Sequence, residues 1–178
     1  MNEFVLGFGA KPVIAFNVQN YSGFLGHLTM PGNFKNWAPF DEPIWFKHAR
    51  LLLSGGTIGV CALALWRAGK PKTPAAWLAE LSTILCTALL VAPVTWTHYL
   101  CLLLAPLAFA ATGQFGVPTN RVRNSFYVLA TILVSLPVMM PHRRDIFPFF
   151  THRIWVSHFA VGTVLLLAAL VWTRLAMR

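Results

Sequence analysis

Cationic and imidazole side chains able to bind an anionic group recur at several points in this sequence. Arginine and lysine neutralise a phosphate, and arginine can do so through two parallel hydrogen bonds. At the mouth of membrane helices, such groups would form a cradle for the phosphate of an amphipathic ligand. The side chains predicted to share one face are Lys47, Arg50, His98, His142, Arg143, Arg144, His152 and Arg153.

Each of these groups also has a structural interpretation. His98 can hydrogen-bond within the turn that contains it, with Trp96 and Tyr99 beside it as interfacial anchors. Residues 142–145 can form a solvated loop whose cations contact lipid headgroups. The residue types alone leave both interpretations open.

Carboxylates are scarce, since the chain has five, and Asp41-Glu42 is the one adjacent pair. Asp41 is a candidate general base for activating a hydroxyl group. Adjacent carboxylates point in different directions in most backbones, however, and the flanking prolines and aromatics favour an interfacial loop. The histidines and carboxylates form no ligand set and the three cysteines lack CxxC spacing, so we predict no metal site and no cofactor.

Four windows of this 178-residue chain contain no Asp, Glu, Lys or Arg, although 11% of all residues are charged. They cover residues 51–66, 81–120, 124–141 and 154–173. About 20 apolar residues span a bilayer as a helix, so the 40-residue window predicts two helices with a break at residues 92–99, around Pro93. Continuous apolar runs, without period-two alternation, exclude β-barrel spans. We predict an all-α integral membrane protein with five spans near 51–67, 76–93, 98–114, 124–140 and 155–173.

The predicted organisation has two parts, an aromatic-rich extracytoplasmic or interfacial segment at 1–50 and a transmembrane helical domain at 51–178. The net charge of +9 comes from cations in the loops between the predicted helices. This distribution excludes nucleic-acid binding and favours membrane lipids or another phosphate-bearing partner. Five alternating helices place seven basic residues on each side, so the positive-inside rule does not set the orientation.

Two segments resemble a known family. Residues 17–26, Asn-Val-Gln-Asn-Tyr-Ser-Gly-Phe-Leu-Gly, and 91–100, Val-Ala-Pro-Val-Thr-Trp-Thr-His-Tyr-Leu, are similar to motifs in the C-terminal half of glycosyltransferase family 87. In the first segment, Asn20 and Ser22 stand at the outer positions of the family's Asn-Gln-Ser. In the second, Ala92 and Thr95 replace two serines. Four residues of the second segment stand where the family has them: Pro93, Trp96, His98 and Tyr99.

The resemblance implies a GT-C-type membrane enzyme. Such an enzyme transfers a hexose, with mannose expected here, from a polyprenyl-phosphate sugar to a lipid or glycan acceptor. It implies a multi-pass protein of the cell (inner) membrane and no cofactor. The residues expected to bind substrate are Asn20, Ser22, Trp96, His98, Tyr99, Arg143 and Arg144.

The family's catalytic carboxylate is expected in a first extracytoplasmic loop, which would lie upstream of Met1. On this expectation the chain is a C-terminal portion without its own catalytic base, and Asp41 is the remaining candidate. Asn20 and Ser22 can also be simple turn formers. The alternative hypothesis is a non-catalytic membrane protein, an assembly partner or a truncated remnant.

Overall fold

A computed structural model of the chain describes residues 15, 17–29, 41–93, 95, 97–137 and 154–178. Its secondary structure in these residues is helical, as predicted. Three of its helices, Ile44–Ala68, Pro74–Val91 and His158–Leu175, are long and apolar enough to cross a membrane, so the chain has the architecture of an all-helical membrane protein. The elements in chain order are α1 (Tyr21–Thr29), α2 (Ile44–Ala68), α3 (Pro74–Val91), a 3₁₀ helix (Thr97–Leu103), α4 (Leu104–Ala111), α5 (Arg121–Ser135) and α6 (His158–Leu175).

The last helix, α6, is the centre of the bundle. It packs against α5, α3 and α2, and 61% of its most apolar stretch is buried, against 11% for α2. Leucines of α3, the 3₁₀ helix and α6 pack against one another and form much of the core. The apolar side chains of α2 mostly face outwards. Buried members of this core are Leu89, Leu90, Leu103, Leu166 and Leu170.

Exposed tryptophans mark both ends of the bundle. Trp45 and Trp66, 50% and 78% exposed, lie 21 residues apart on α2. At 1.5 Å per residue their separation is about 31 Å, close to the thickness of a bilayer core of ~30 Å. The exposed Trp77 at the start of α3 and Trp172 near the end of α6 lie at the same end as Trp66. These positions are typical of side chains that anchor a protein at the two membrane interfaces.

We call the end that carries Trp66 the basic end and the opposite end, where α3 finishes, the tip end. At the basic end the buried Arg174 is held by Glu80, with 2.8 Å between Nε and Oε1. Its guanidinium also donates to the carbonyl oxygens of Ala68 and Gly69, at the C-terminus of α2. A cation there satisfies carbonyls that the helix leaves unpaired, and this contact fixes the end of α2 on α6.

The break predicted inside the long apolar window is confirmed. Helix α3 ends at Val91, and the Thr95 hydroxyl donates to the carbonyl oxygen of Leu89 at 2.6 Å, which closes the turn. The chain then re-enters the bundle as a 3₁₀ helix, followed by α4. Pro106 lies in the first turn of α4 and cannot donate to the carbonyl four residues earlier, which favours a tighter turn before it. The predicted span 98–114 is therefore observed as helix over residues 97–111.

Other helix bounds differ from the predicted spans because helix ends include charged residues. Helix α2 begins at Ile44, directly after Pro43, and not at residue 51. Helix α5 begins at Arg121, because the Asn120 side chain caps it by accepting from the backbone N–H of Arg123 at 3.0 Å. Residues 138–140 of the predicted fourth span lie outside the described residues.

Candidate functional site

The two segments that carry the family resemblance lie side by side at the tip end. The backbone N–H of Gln19 donates to the carbonyl oxygen of Thr95 at 2.8 Å, and that of Thr97 donates to the carbonyl oxygen of Asn17 at 3.1 Å. These two bonds join the chain before α1 to the turn after α3. We call residues 17–20 together with residues 92, 93, 95 and 97 the tip junction. Sequence spacing predicted each segment separately but not their contact.

Asn20 is the central side chain of the tip junction. Its Oδ1 accepts from the backbone N–H of Gly23 at 2.8 Å, which caps the start of α1. Its Nδ2 donates to the carbonyl oxygens of Ala92 at 2.7 Å and Pro93 at 3.0 Å. The side chain is fully buried, and both amide hydrogens and the amide oxygen are engaged within the chain. Asn20 therefore holds the junction together, and its contact with a substrate stays a prediction.

Two further polar side chains connect this junction to α6. The Gln19 amide donates to the carbonyl oxygen of Val156 at 2.9 Å. His27 lies between Ser157 Oγ, 2.9 Å from its Nδ1, and the carbonyl oxygen of Ala15, 3.0 Å from its Nε2. Because a carbonyl only accepts, Nε2 carries a proton, and in the neutral imidazole Nδ1 then accepts from the serine hydroxyl. Sequence reasoning missed Gln19 and His27, although the signal for both is a polar side chain in a largely apolar chain.

His98 and Tyr99 lie in the first turn of the 3₁₀ helix and are both exposed at the tip end. Their ring centroids are 4.4 Å apart with an interplanar angle of 62°, so the two side chains form one edge-to-face unit. Ser22, in contrast, is buried in α1. Six predicted site residues lie outside the described residues: Trp96, His142, Arg143, Arg144, His152 and Arg153.

The two adjacent carboxylates before α2 have different surroundings. Glu42 forms an ion pair with Arg50, with Nη2 at 3.0 Å from Oε1 and 3.2 Å from Oε2. Asp41 is exposed at the tip end. The charge of Arg50 is thus already matched by Glu42, which weakens it as a phosphate ligand, whereas Lys47 is exposed on the first turns of α2. Within the described ranges, no three His, Cys, Asp or Glu side chains are grouped so as to hold a metal ion.

A groove of about 590 Å³ runs between α2 and α6. The Tyr21 hydroxyl borders it and lies 2.6 Å from the Thr57 hydroxyl. Burial raises the pKa of the Tyr21 phenol, an effect that the Thr57 hydrogen bond partly offsets, so this hydroxyl remains protonated. Most of the remaining lining is apolar and includes Leu52, Gly56, Val60, Val164, Ala168 and Val171.

Comparison with known proteins gives no matching family, curated protein or solved structure. The family resemblance therefore depends on the two motifs that meet at the tip junction. Two further features lie near these motifs. One is the exposed pair His98 and Tyr99, and the other is the apolar groove, whose lining includes Tyr21, the residue after Asn20.

Proposed function

We propose that this chain belongs to a glycosyltransferase of the cell (inner) membrane. The enzyme transfers a hexose, for which mannose is the candidate, from a polyprenyl-phosphate sugar to a lipid or glycan acceptor. The observation that carries the proposal is the tip junction. Two motifs separated by more than sixty residues of chain pair through Gln19–Thr95 and Asn20–Ala92. Residues that share one substrate are expected to converge in this way.

The shape of the described chain suits a ligand with a charged head and a long apolar tail. His98 and Tyr99 present polar atoms at the tip end, where a phosphate at the membrane surface would lie. The groove between α2 and α6 has the apolar lining that an isoprenoid chain requires. The neutral hydroxyls of Tyr21 and Thr57 border this groove, close in sequence to the junction.

The proposed chemistry is a direct displacement at the anomeric carbon. A bond forms from the acceptor hydroxyl oxygen to the anomeric carbon as the bond to the phosphate oxygen breaks, and the polyprenyl phosphate leaves with the bonding electron pair. His98 donates a hydrogen bond to the leaving phosphate, and the expected cations Arg143 and Arg144 add positive charge. The acceptor proton passes to a carboxylate, for which Asp41 is the candidate within the described residues.

A second candidate function is a non-catalytic membrane protein that assembles with a partner. The observation that favours it is the complete engagement of Asn20, whose side chain makes three hydrogen bonds inside the chain. A motif residue used in this way maintains a fold whether or not a substrate is bound. The two functions differ in whether the chain supports transfer of a hexose at all.

The test is transfer of radiolabelled mannose from polyprenyl-phosphate mannose in membranes that contain the chain. We expect label in a lipid or glycan acceptor above the level of membranes without the chain. The variant His98→Ala should remove this transfer, whereas His48→Ala, which changes an exposed histidine on α2, should retain it. No transfer, also when the chain is produced together with the N-terminal half of a family 87 enzyme, supports the non-catalytic function, and equal transfer by both variants contradicts the role of His98.

A further inference from the structure

A buried arginine at the basic end has no carboxylate partner within the part of the chain that the structure describes. Arg123, in the first turn of α5, is 4% exposed. Its Nη2 donates to the carbonyl oxygen of Pro118 at 2.6 Å, and its Nε has no hydrogen-bond partner among the described residues. A guanidinium has five N–H donors, so most of them remain for a ligand. A buried cation without a counter-charge is unfavourable, and an anion at this position would relieve it.

Arg174, at the same end, differs from Arg123 in having a carboxylate partner. It is equally buried but has Glu80 at 2.8 Å. The described residues contain two other carboxylates, Asp41 and Glu42, and both lie at the tip end. No acidic side chain of the described residues is therefore left for Arg123, and a bound ligand could supply its counter-charge.

Arg123 also lies at the N-terminus of a helix, α5. Its partner Pro118 precedes α5 by three residues, so the guanidinium folds back over the start of the 15-residue helix. Residues 118–122 are all exposed, and Arg121 lies in the same turn. Backbone N–H groups and the helix dipole favour an anion at this place.

The surroundings identify the anion. Exposed Trp66, Trp77 and Trp172 place the basic end at a membrane interface, where the abundant anion is the phosphate of a lipid headgroup. Among the described residues, this end carries seven basic side chains and one acidic side chain, Glu80. The cations are Arg67, Lys70, Lys72, Arg121, Arg123, Arg174 and Arg178.

We propose that the N-terminus of α5, with Arg121 and Arg123, binds the headgroup phosphate of an anionic phospholipid. Basic pockets between membrane helices bind acidic headgroups in this way. The site lies at the opposite end from the tip junction and does not depend on the proposed glycosyltransferase activity. It assigns the basic end to the leaflet richer in anionic lipid.

The test compares phosphatidylglycerol with phosphatidylcholine as additives to the full chain in a neutral detergent. We expect phosphatidylglycerol to raise Tm by a few degrees and native mass spectrometry to detect one such lipid per chain. Arg123→Gln should remove the difference between the two lipids, and the matched variant Arg67→Gln, an exposed cation at the same end, should keep it. Equal effects of the two lipids, or an unchanged response of Arg123→Gln, would overturn the proposal.

Two additional measurements cover the other outcomes. If Arg123→Gln does not fold, the exposed Arg121→Gln decides, with an expected loss of about fivefold in phosphatidylglycerol affinity for one basic residue at an anionic surface. Unchanged affinity of that variant contradicts the site. If millimolar inorganic phosphate stabilises the chain as much as phosphatidylglycerol does, the site binds free anions and the lipid assignment is wrong.

Discussion

The side-chain amide of Asn20 lies 2.7 Å from the carbonyl oxygen of Ala92, and 72 residues of chain separate them. This bond connects the residue that caps α1 to the first residue after α3. The Asn20 amide is buried and needs acceptors, because leaving it unpaired costs free energy. The tip junction is thus a requirement of the fold as well as the place where the proposed site is built.

Replacing Asn20 with alanine should destabilise the chain by about 2–4 kcal/mol, from a lost helix cap of ~1 kcal/mol and carbonyls left unpaired. Asn20→Asp should be no better, because it keeps the cap but sets a carboxylate against two carbonyl oxygens. Unfolding in detergent, followed by circular dichroism, measures both. Asn124→Ala, at an exposed position of α5, is the control and should be close to neutral. Equal stability of all three variants would show that the junction bonds are dispensable.

Helix α6 packs closely against α5 at Gly162. A Cβ at this position would lie 2.9 Å from Val134 Cγ2 and 3.0 Å from Leu133 Cβ. Gly162→Ala should therefore cost about 1–3 kcal/mol through overpacking. Gly59→Ala on α2 is the matched change, since its Cβ would meet nothing within 4 Å, and it should not destabilise the chain. A similar Tm for the two variants would mean that α5 and α6 pack less closely than described.

The pair of Glu80 and Arg174 should behave as one unit. Glu80→Gln or Arg174→Met alone leaves an uncompensated buried group and should cost about 3–5 kcal/mol, whereas the double variant Glu80→Met, Arg174→Met should recover part of this loss. Arg178→Met, an exposed arginine at the same end, is the control. Additive losses in chemical unfolding would contradict a direct interaction between the two residues.

Filling the groove between α2 and α6 should weaken donor binding without preventing folding. Gly56→Trp places a ring in the groove, and the space around its Cβ is open, so the chain should still fold. We expect its affinity for polyprenyl-phosphate mannose to fall about tenfold, the equivalent of ~1.4 kcal/mol. Gly59→Trp, which also points into open space but does not line the groove, should bind the donor normally. Equal affinities would remove the groove from the proposed site.

Much of the fold followed from the pattern of charge. The charge-free windows predicted the helices that became α2, α3 and α6, and Pro93 lies in the break that separates α3 from the 3₁₀ helix. The helix bounds were less accurate, because charge-free windows stop at arginines that a capped helix includes, as at Asn120 and Arg121.

The partners of individual polar residues could not be predicted. Asn20 with Ala92, and Arg174 with Glu80, are contacts between residues far apart in the sequence. Hydrophobic periodicity says which residues lie in the bundle but gives no distance between helices, so it could not place these pairs. The motif residues were predicted one by one, and the contact between their segments came from the fold.

If the tip end binds a polyprenyl-phosphate sugar, the purified chain should bind the radiolabelled donor at equilibrium. We expect saturable binding that unlabelled polyprenyl phosphate displaces, with affinity reduced about tenfold in His98→Ala and unchanged in His48→Ala. Binding does not require a catalytic base, so the result is independent of turnover. Absence of saturable binding, or binding that His98→Ala leaves intact, would show that the tip end is not the donor site.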